Sequence, residues 1–299
     1  MMSKLLITGA TGRMAKYILP DYAKKHEIRL FGRTDPQNEY EFARGDIARL
    51  DDVCAAANGC DAIVHLAAVA AHAEDRVDEI FNCNVVGTYN VLEAARRAGI
   101  QYVVNSSSIC AAGIINWQQR NMPAYFPVDE DTDLQADDMY GMSKKIGEEL
   151  AWGYYRRYGV KSISLRVATV ALPGADYYQE LFDNANNPDH VFEKLPMAFA
   201  DFMWQYLDAR DLGQAYTLAL DALLSGRVEY DIYNLGGDEV FSDIPSIELI
   251  RKYYPGTQQI NNTGGFLERD NAPLWDITKI KRELGFSPQY GWKDFATLE

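Results

Sequence analysis

KLLITGATGRMA, residues 4–15, decides the fold. KLLIT is a short apolar run of strand character, and the glycines after it stand where a strand hands the chain to a helix. Gly9 permits a tight turn, Gly12 lets backbone approach a pyrophosphate, and the helix N-terminus beyond supplies amide donors and a partial positive charge. The third small position is Ala15, which still allows the helix to pack closely on the strand. A glycine motif alone carries little. One that follows a strand, opens a helix and precedes further alternating elements predicts a dinucleotide site.

The alternation continues outward from this turn. Apolar runs IRLF (28–31), AIVHLAA (62–68), QYVVNSS (101–107) and KSISLRV (161–167) are interleaved with helical periodicities over 12–25, over 74–97 and from about 140. This predicts βαβ units and a parallel sheet covered on both faces, a doubly wound Rossmann α/β fold. After Val167 the rhythm breaks at Pro173, Gly174, Pro188 and Pro196. It resumes with a helix over 209–223, a strand YDIYNL (230–235) and helices near 245–254 and 277–284. The expected division is a nucleotide-binding domain of residues 1–167 plus 206–235, with a smaller C-terminal substrate-binding lobe of 168–205 plus 236–299.

Composition narrows the function classes. A formal charge of −14 over 299 residues argues against nucleic acid or an anionic membrane as partner, because both demand basic patches. The apolar run at the N-terminus is too short for a signal peptide, and no window approaches the roughly 18 apolar residues of a membrane-spanning helix. Cys54, Cys60, Cys83 and Cys110 show no paired spacing, and the four histidines form no cluster with them, so neither a metal site nor a disulfide scaffold is expected. Reduced thiols in the cytoplasm are the expectation.

The end of the second strand bears on the cofactor. An Asp or Glu roughly 20 residues past the glycines suits a free ribose 2′-hydroxyl, whereas an arginine suits a 2′-phosphate. The chain reads HEIRLFGRTDP, with Gly32 at the acid's place and Arg33 next to it. An arginine on a phosphate contributes about 1.5 to 3 kcal/mol, and Arg13 could reach the same group. NADP is therefore expected, NAD being possible through Asp35.

DDMYGMSKKIGEE (137–149) holds Tyr140 four residues before Lys144. With 19 tyrosines in the chain, roughly one such pair arises by accident, and this is the one the chain contains. Its meaning comes from its neighbours. With the glycine motif, GDI (45–47), HLAA (65–68), NVVGT (84–88), SSS (106–108), YGMSK (140–144) and YLDARDLGQA (206–215) in order, nearly the whole chain resembles the extended short-chain dehydrogenase/reductases. It is most similar to their NAD(P)-dependent epimerase/dehydratase family. The resemblance implies cofactor contacts from Thr11, Arg13 and Met14 around the glycine turn, with Asp46 and Ile47 flanking the adenine. It further implies that Leu66, Ala67 and Ala68 line the cofactor, that Asn84 stands behind it, and that Ser106 and Val167 adjoin it. Ser108 matches the family's active-site hydroxyl, and Lys144 would also hold the nicotinamide ribose. EELAWGYYRRY (148–158) lies where the family often pairs subunits, implying a homodimer.

The chemistry of the pair follows from its spacing. Residues 140 and 144 share a helix face, so the ammonium can sit near the phenol. A unit charge at about 4 Å, at an effective dielectric of 20, is worth about 4 kcal/mol, or roughly three pKa units. Tyr140 is thus expected to act as base near neutral pH while hydride leaves the same carbon, with Ser108 hydrogen-bonding the substrate oxygen.

Three departures from the family pattern bear on the substrate. Ile109 and Cys110 follow Ser108 where dehydratases carry Asp-Glu. Trp204 stands near the place of the epimerases' diphosphate arginine, and LRVATVALPG lacks the usual Asn-x-Tyr-Gly-Pro. Arg269 is a candidate for a remaining diphosphate ligand, and Trp117, Arg120 and Thr169 fall in the substrate loops. His65 and His72 read as structural. Oxidation or reduction of a free sugar or sugar derivative is the leading expectation. A UDP-sugar 4-epimerase with retained cofactor is the alternative, and an NADP-holding sensor without turnover a further one.

Overall fold

The computed structural model describes residues 2–70, 74–113, 122–172, 175, 177–192, 198–257 and 259–297. In chain order its regular elements begin β1 (Lys4–Thr8), α1 (Ala15–Ala23), β2 (Glu27–Gly32), β3 (Glu41–Arg44), α2 (Leu50–Ala57), β4 (Ala62–His65) and α3 (Val77–Ile80). A π-helical segment (Phe81–Val86) then leads into α4 (Gly87–Ala98), β5 (Tyr102–Ser108), β6 (Tyr125–Phe126), α5 (Met139–Tyr158), β7 (Lys161–Val167) and β8 (Thr169–Ala171). The chain continues through α6 (Tyr178–Asp183), β9 (Tyr206–Asp208), α7 (Leu212–Leu224), β10 (Tyr230–Leu235), α8 (Ser246–Tyr253), β11 (Gln259–Ile260) and α9 (Thr278–Leu284).

Two compact units emerge, the first comprising residues 1–111, 138–166 and 212–232, the second 112–137, 167–211 and 233–299. The first is organised on a seven-stranded parallel sheet of order β10-β7-β5-β4-β1-β2-β3. Its central strands are apolar on both faces: Leu5, Leu6 and Ile7 on β1, Ile63 and Val64 on β4, and Ile163 and Leu165 on β7 are all fully buried. Helices on both faces produce that pattern. One layer sets Val53, Ala56 and Ala57 of α2 against Val91, Ala94 and Ala95 of α4. In another layer α1 and α7 are tied by the Tyr22 hydroxyl, which donates to the Tyr216 carbonyl at 2.8 Å. Each fully buried Val, Leu or Ile contributes about 1.5 to 3 kcal/mol.

Helix ends follow local chemistry. The Asp138 carboxylate accepts the Gly141 N–H at 3.0 Å and starts α5, and Gly159 at φ 72° ends it. The second unit is held by an aromatic core in which Phe199 stacks with Trp204 and Phe241. It also carries two short parallel pairs, β8 with β9 and β6 with β11.

The structure adds to and trims the expected elements. β3 and α2 lie in a stretch without a strong apolar run, and α1 begins at Ala15 rather than Gly12 because residues 10–14 form the turn itself. The periodicity over 74–97 is broken into α3, the π-helical segment and α4. Among the described residues no helix is long and apolar enough to cross a membrane.

Candidate active site

Between β1 and β4 the strand order reverses direction, and a crevice opens at the carboxyl ends of the strands. Gly9 leaves β1 at φ 78°, and a Cβ there would stand 2.8 Å from the Ala67 amide nitrogen. The Gly12 N–H closes the turn on the Gly9 carbonyl at 2.8 Å. A cavity of about 430 Å³ lies over this turn, with Gly9, Thr11 and Gly12 as its floor. Arg33, Asp46, Ile47, Leu66, Ala67 and Ala68 also line it. Space, glycine turn and strand-end placement fit the phosphates and adenosine of a dinucleotide. Arg13 follows the turn as an exposed residue and Met14 caps α1; neither lines the cavity.

Glu79, Asn82 and Cys83 also line the cavity, and sequence reasoning missed all three. Their i, i+3, i+4 spacing, one helix face, was the available signal.

A chain of buried polar groups runs behind the crevice. The Thr8 hydroxyl accepts the Leu66 and Ala67 N–H groups, each at 3.2 Å, and meets His65 Nδ1 at 2.8 Å. His65 Nε2 lies 3.1 Å from the Thr88 hydroxyl, which donates to the Asn84 carbonyl at 2.6 Å. Burial, aided by the Lys144 charge, pushes His65 down to about 3, so the ring is neutral. With both of its acceptor positions used, Thr8 donates to Nδ1, which leaves the proton on Nε2 and directed at Thr88. The Asn84 side chain grips both backbone groups of Val69 and reaches Ser143 Oγ at 3.0 Å, and Ser143 donates to the Tyr140 carbonyl at 2.7 Å. Asn84 therefore sits behind the crevice wall and joins it to the first turn of α5. His65 is a structural histidine; His72 lies outside the described residues.

Ser108 ends β5, and Tyr140 and Lys144 occupy the first turns of α5. The Ser108 and Tyr140 side chains are hydrogen-bonded. Lys144 Nζ lies 5.6 Å from the Tyr140 ring centre and donates to the Ser106 carbonyl at 2.8 Å. The Ser106 hydroxyl is engaged by the Tyr216 hydroxyl, so Ser106 meets Lys144 through its backbone. Behind this corner, Arg166 makes a bidentate pair with Glu148, both bonds at 2.9 Å, and the Ser107 hydroxyl donates to Glu148 at 2.6 Å. Both charged side chains are 3% exposed.

The electrostatics differ from the expected pairing. Burial first, then the neighbouring Cys110, pushes the Tyr140 phenol well above its ordinary range, against the opposing Ser108 hydrogen bond. Burial also lowers Lys144 to about 8. The expected three-unit drop in Tyr140 does not arise from the protein's own groups, because desolvation disfavours both charged forms. Cys110, whose N–H donates to Ser108 Oγ at 3.2 Å, is thereby a neighbour of both Ser108 and the Tyr140 phenol.

In the second unit, Val167 is buried at the end of β7, and Thr169 pairs in register with Tyr206. Arg269 is half-exposed and lines a small cavity of that unit: its guanidinium donates to the Asp238 carboxylate at 3.2 Å and to the Asp238 carbonyl, and Lys281 adds a bond to the same carboxylate at 3.0 Å. Trp204 is fully buried. Trp117 and Arg120 lie outside the described residues.

The sequence matches the family model described as "NAD dependent epimerase/dehydratase family" over residues 5–236. A uronate dehydrogenase of Pseudomonas syringae pv. tomato is 32% identical over 174 residues, covering 56% of this chain. The match spans 59% of that dehydrogenase, about three fifths of its length. A UDP-glucose 4-epimerase of Corynebacterium glutamicum is 24% identical over 325 residues, covering 96% of this chain and 91% of that protein. Among solved structures, a UDP-glucose 4-epimerase from Brucella ovis in complex with NAD superposes with a TM-score of 0.72 at 20% identity, covering 99% of this chain and 96% of that one.

Proposed function

Because the chain belongs to the NAD-dependent epimerase/dehydratase family of the extended short-chain dehydrogenase/reductases, we propose that it oxidises a hydroxyl-bearing carbon of a free sugar or simple sugar derivative. When bound, an oxidised nicotinamide supplies the hydride acceptor and a positive ring charge. Ser108 donates a hydrogen bond to the substrate oxygen, and Tyr140 takes its proton as the carbon becomes a carbonyl. Burial holds the proton on Tyr140, and a positive charge held beside the phenol would favour the phenolate. Proton abstraction is thus tied to the oxidised cofactor. Lys144 holds the nicotinamide ribose.

The observation that carries the free-sugar reading is the Arg269–Asp238 pair. Asp238 pairs with both Arg269 and Lys281, and Trp204, which stands in the sequence near the place of the epimerases' diphosphate arginine, is buried. The uronate dehydrogenase relative supports the same reading. NADP is the expected cofactor: Arg33 lines the cavity, while the Asp35 carboxylate accepts the Gln37 N–H at 2.8 Å. A homodimer would cover the face on which Tyr89, Trp152 and Tyr158 are 40%, 41% and 53% exposed. The four free thiols suit a reducing cytoplasm.

The test is a panel of free sugars, sugar acids and UDP-sugars with either cofactor, followed by absorbance of the reduced nicotinamide. Net reduction with free sugars or sugar acids is expected. Interconversion of UDP-sugars without net reduction would replace this reading with the epimerase.

A further inference from the structure

The rim of the dinucleotide cavity carries two opposed charges. Arg33 leaves the end of β2, where Gly32 is in register with Arg44 of β3. The Arg44 guanidinium donates to the Arg33 carbonyl at 2.9 Å and fixes the backbone from which Arg33 projects. Glu79 lines the same cavity from α3, on the face that also presents Asn82 and Cys83. Its carboxylate is oriented by Arg76, whose Nε and Nη2 both lie 2.9 Å from Oε2.

We propose that Glu79 is a second cofactor-selecting residue, opposing Arg33, which keeps NAD usable by penalising the 2′-phosphate of NADP. The inference rests on the nicotinamide reading above. The glycine turn suits a pyrophosphate, Asp46 and Ile47 line the same cavity, and Arg33 and Glu79 both line it close enough for Arg33 to act on the Glu79 carboxylate, so an adenosine ribose held there would meet both charges. A 2′-phosphate brings nearly two negative charges there. Arg33 attracts them and Glu79 repels them, whereas a free 2′-hydroxyl is nearly indifferent to both. Glu79 is ionised under all ordinary conditions: the Arg76 hydrogen bond holds its carboxyl below the usual range, with Arg33 adding to the effect. Arg76, bonded to the Glu79 carboxylate and not itself lining the cavity, partly neutralises that charge and so sets how strongly a phosphate feels it.

The test is a titration of NADPH and NADH, followed by their fluorescence, on the full chain and its variants. Glu79→Gln should tighten NADPH roughly three- to fivefold and leave NADH within a factor of two, the scale of an exposed charge pair. Glu79→Lys should extend the shift in the same direction, Arg76→Met should reverse it, and Arg33→Ala should weaken NADPH alone. The Glu79→Gln effect should shrink in high salt. Equal changes for both nucleotides, or none, would overturn the role of Glu79 while leaving the dinucleotide site intact. Binding of neither nucleotide by the unaltered protein would overturn the cofactor reading and this inference with it.

Discussion

The wall of the dinucleotide-sized cavity and the corner formed by Ser108, Tyr140 and Lys144 stand at the ends of neighbouring strands of one sheet, yet they are made differently. The wall is mostly backbone: a glycine at φ 78°, a turn closed by N–H to carbonyl bonds, and a strand end lying against it. The corner is mostly side chain: a phenol and an ammonium brought out of water, supported by a buried ion pair. Backbone geometry is indifferent to pH and sensitive to the size of one atom. Side-chain chemistry is sensitive to charge and to whatever lies behind it.

That contrast breaks most visibly at its supports. Arg166→Leu should cost about 3 to 5 kcal/mol in urea unfolding, because it leaves the Glu148 charge buried without its partner. A loss under 1 kcal/mol would mean that the corner does not depend on the pair. The wall should fail through a single methyl-sized group. Gly9→Val adds a Cβ 2.8 Å from the Ala67 nitrogen at a backbone angle that valine resists, and should weaken nucleotide binding about 10- to 100-fold. Binding within threefold of the parent would show that the wall adapts. The corner alone should respond to pH: Lys144, lowered to about 8, is charged below that pH and neutral above it. NADH affinity should therefore fall by about tenfold between pH 7 and 9, the worth of a charge-assisted hydrogen bond. Lys144→Met should flatten the dependence. The same lowered value means that the folded state binds fewer protons than the unfolded chain from about pH 8 up to lysine's usual range, so this group adds stability as pH rises across that window.

The sequence recorded the wall more fully than the corner for the same reason. A backbone requirement leaves a durable mark, and Gly9 and Gly12 announced a turn that few other residues accept. The apolar runs of β1, β4, β5 and β7 announced a sheet buried on both faces. β3 and α2 stayed hidden: β3 has no fully buried residue, and α2 is eight residues with two acids in its first turn. Ser108, Tyr140 and Lys144 were legible as identities, but their protonation was not, since burial depends on chain segments far away in sequence. Arg33 and Arg269 looked alike as possible phosphate ligands. Only the fold shows that Arg33 lines the cavity over the glycine turn, whereas Arg269 lines a small separate one and is paired with Asp238.

The central claim is that Tyr140 moves the substrate's proton, and Tyr140→Phe tests it most directly with two readings of one preparation: turnover of the best free sugar, and NADH or NADPH fluorescence on binding. Removal of an acid/base group should lower turnover about 10²- to 10⁴-fold, with nucleotide affinity nearly unchanged because the cavity does not depend on the phenol. Turnover within tenfold of the parent, with binding intact, would contradict the account and move the proton transfer to another group.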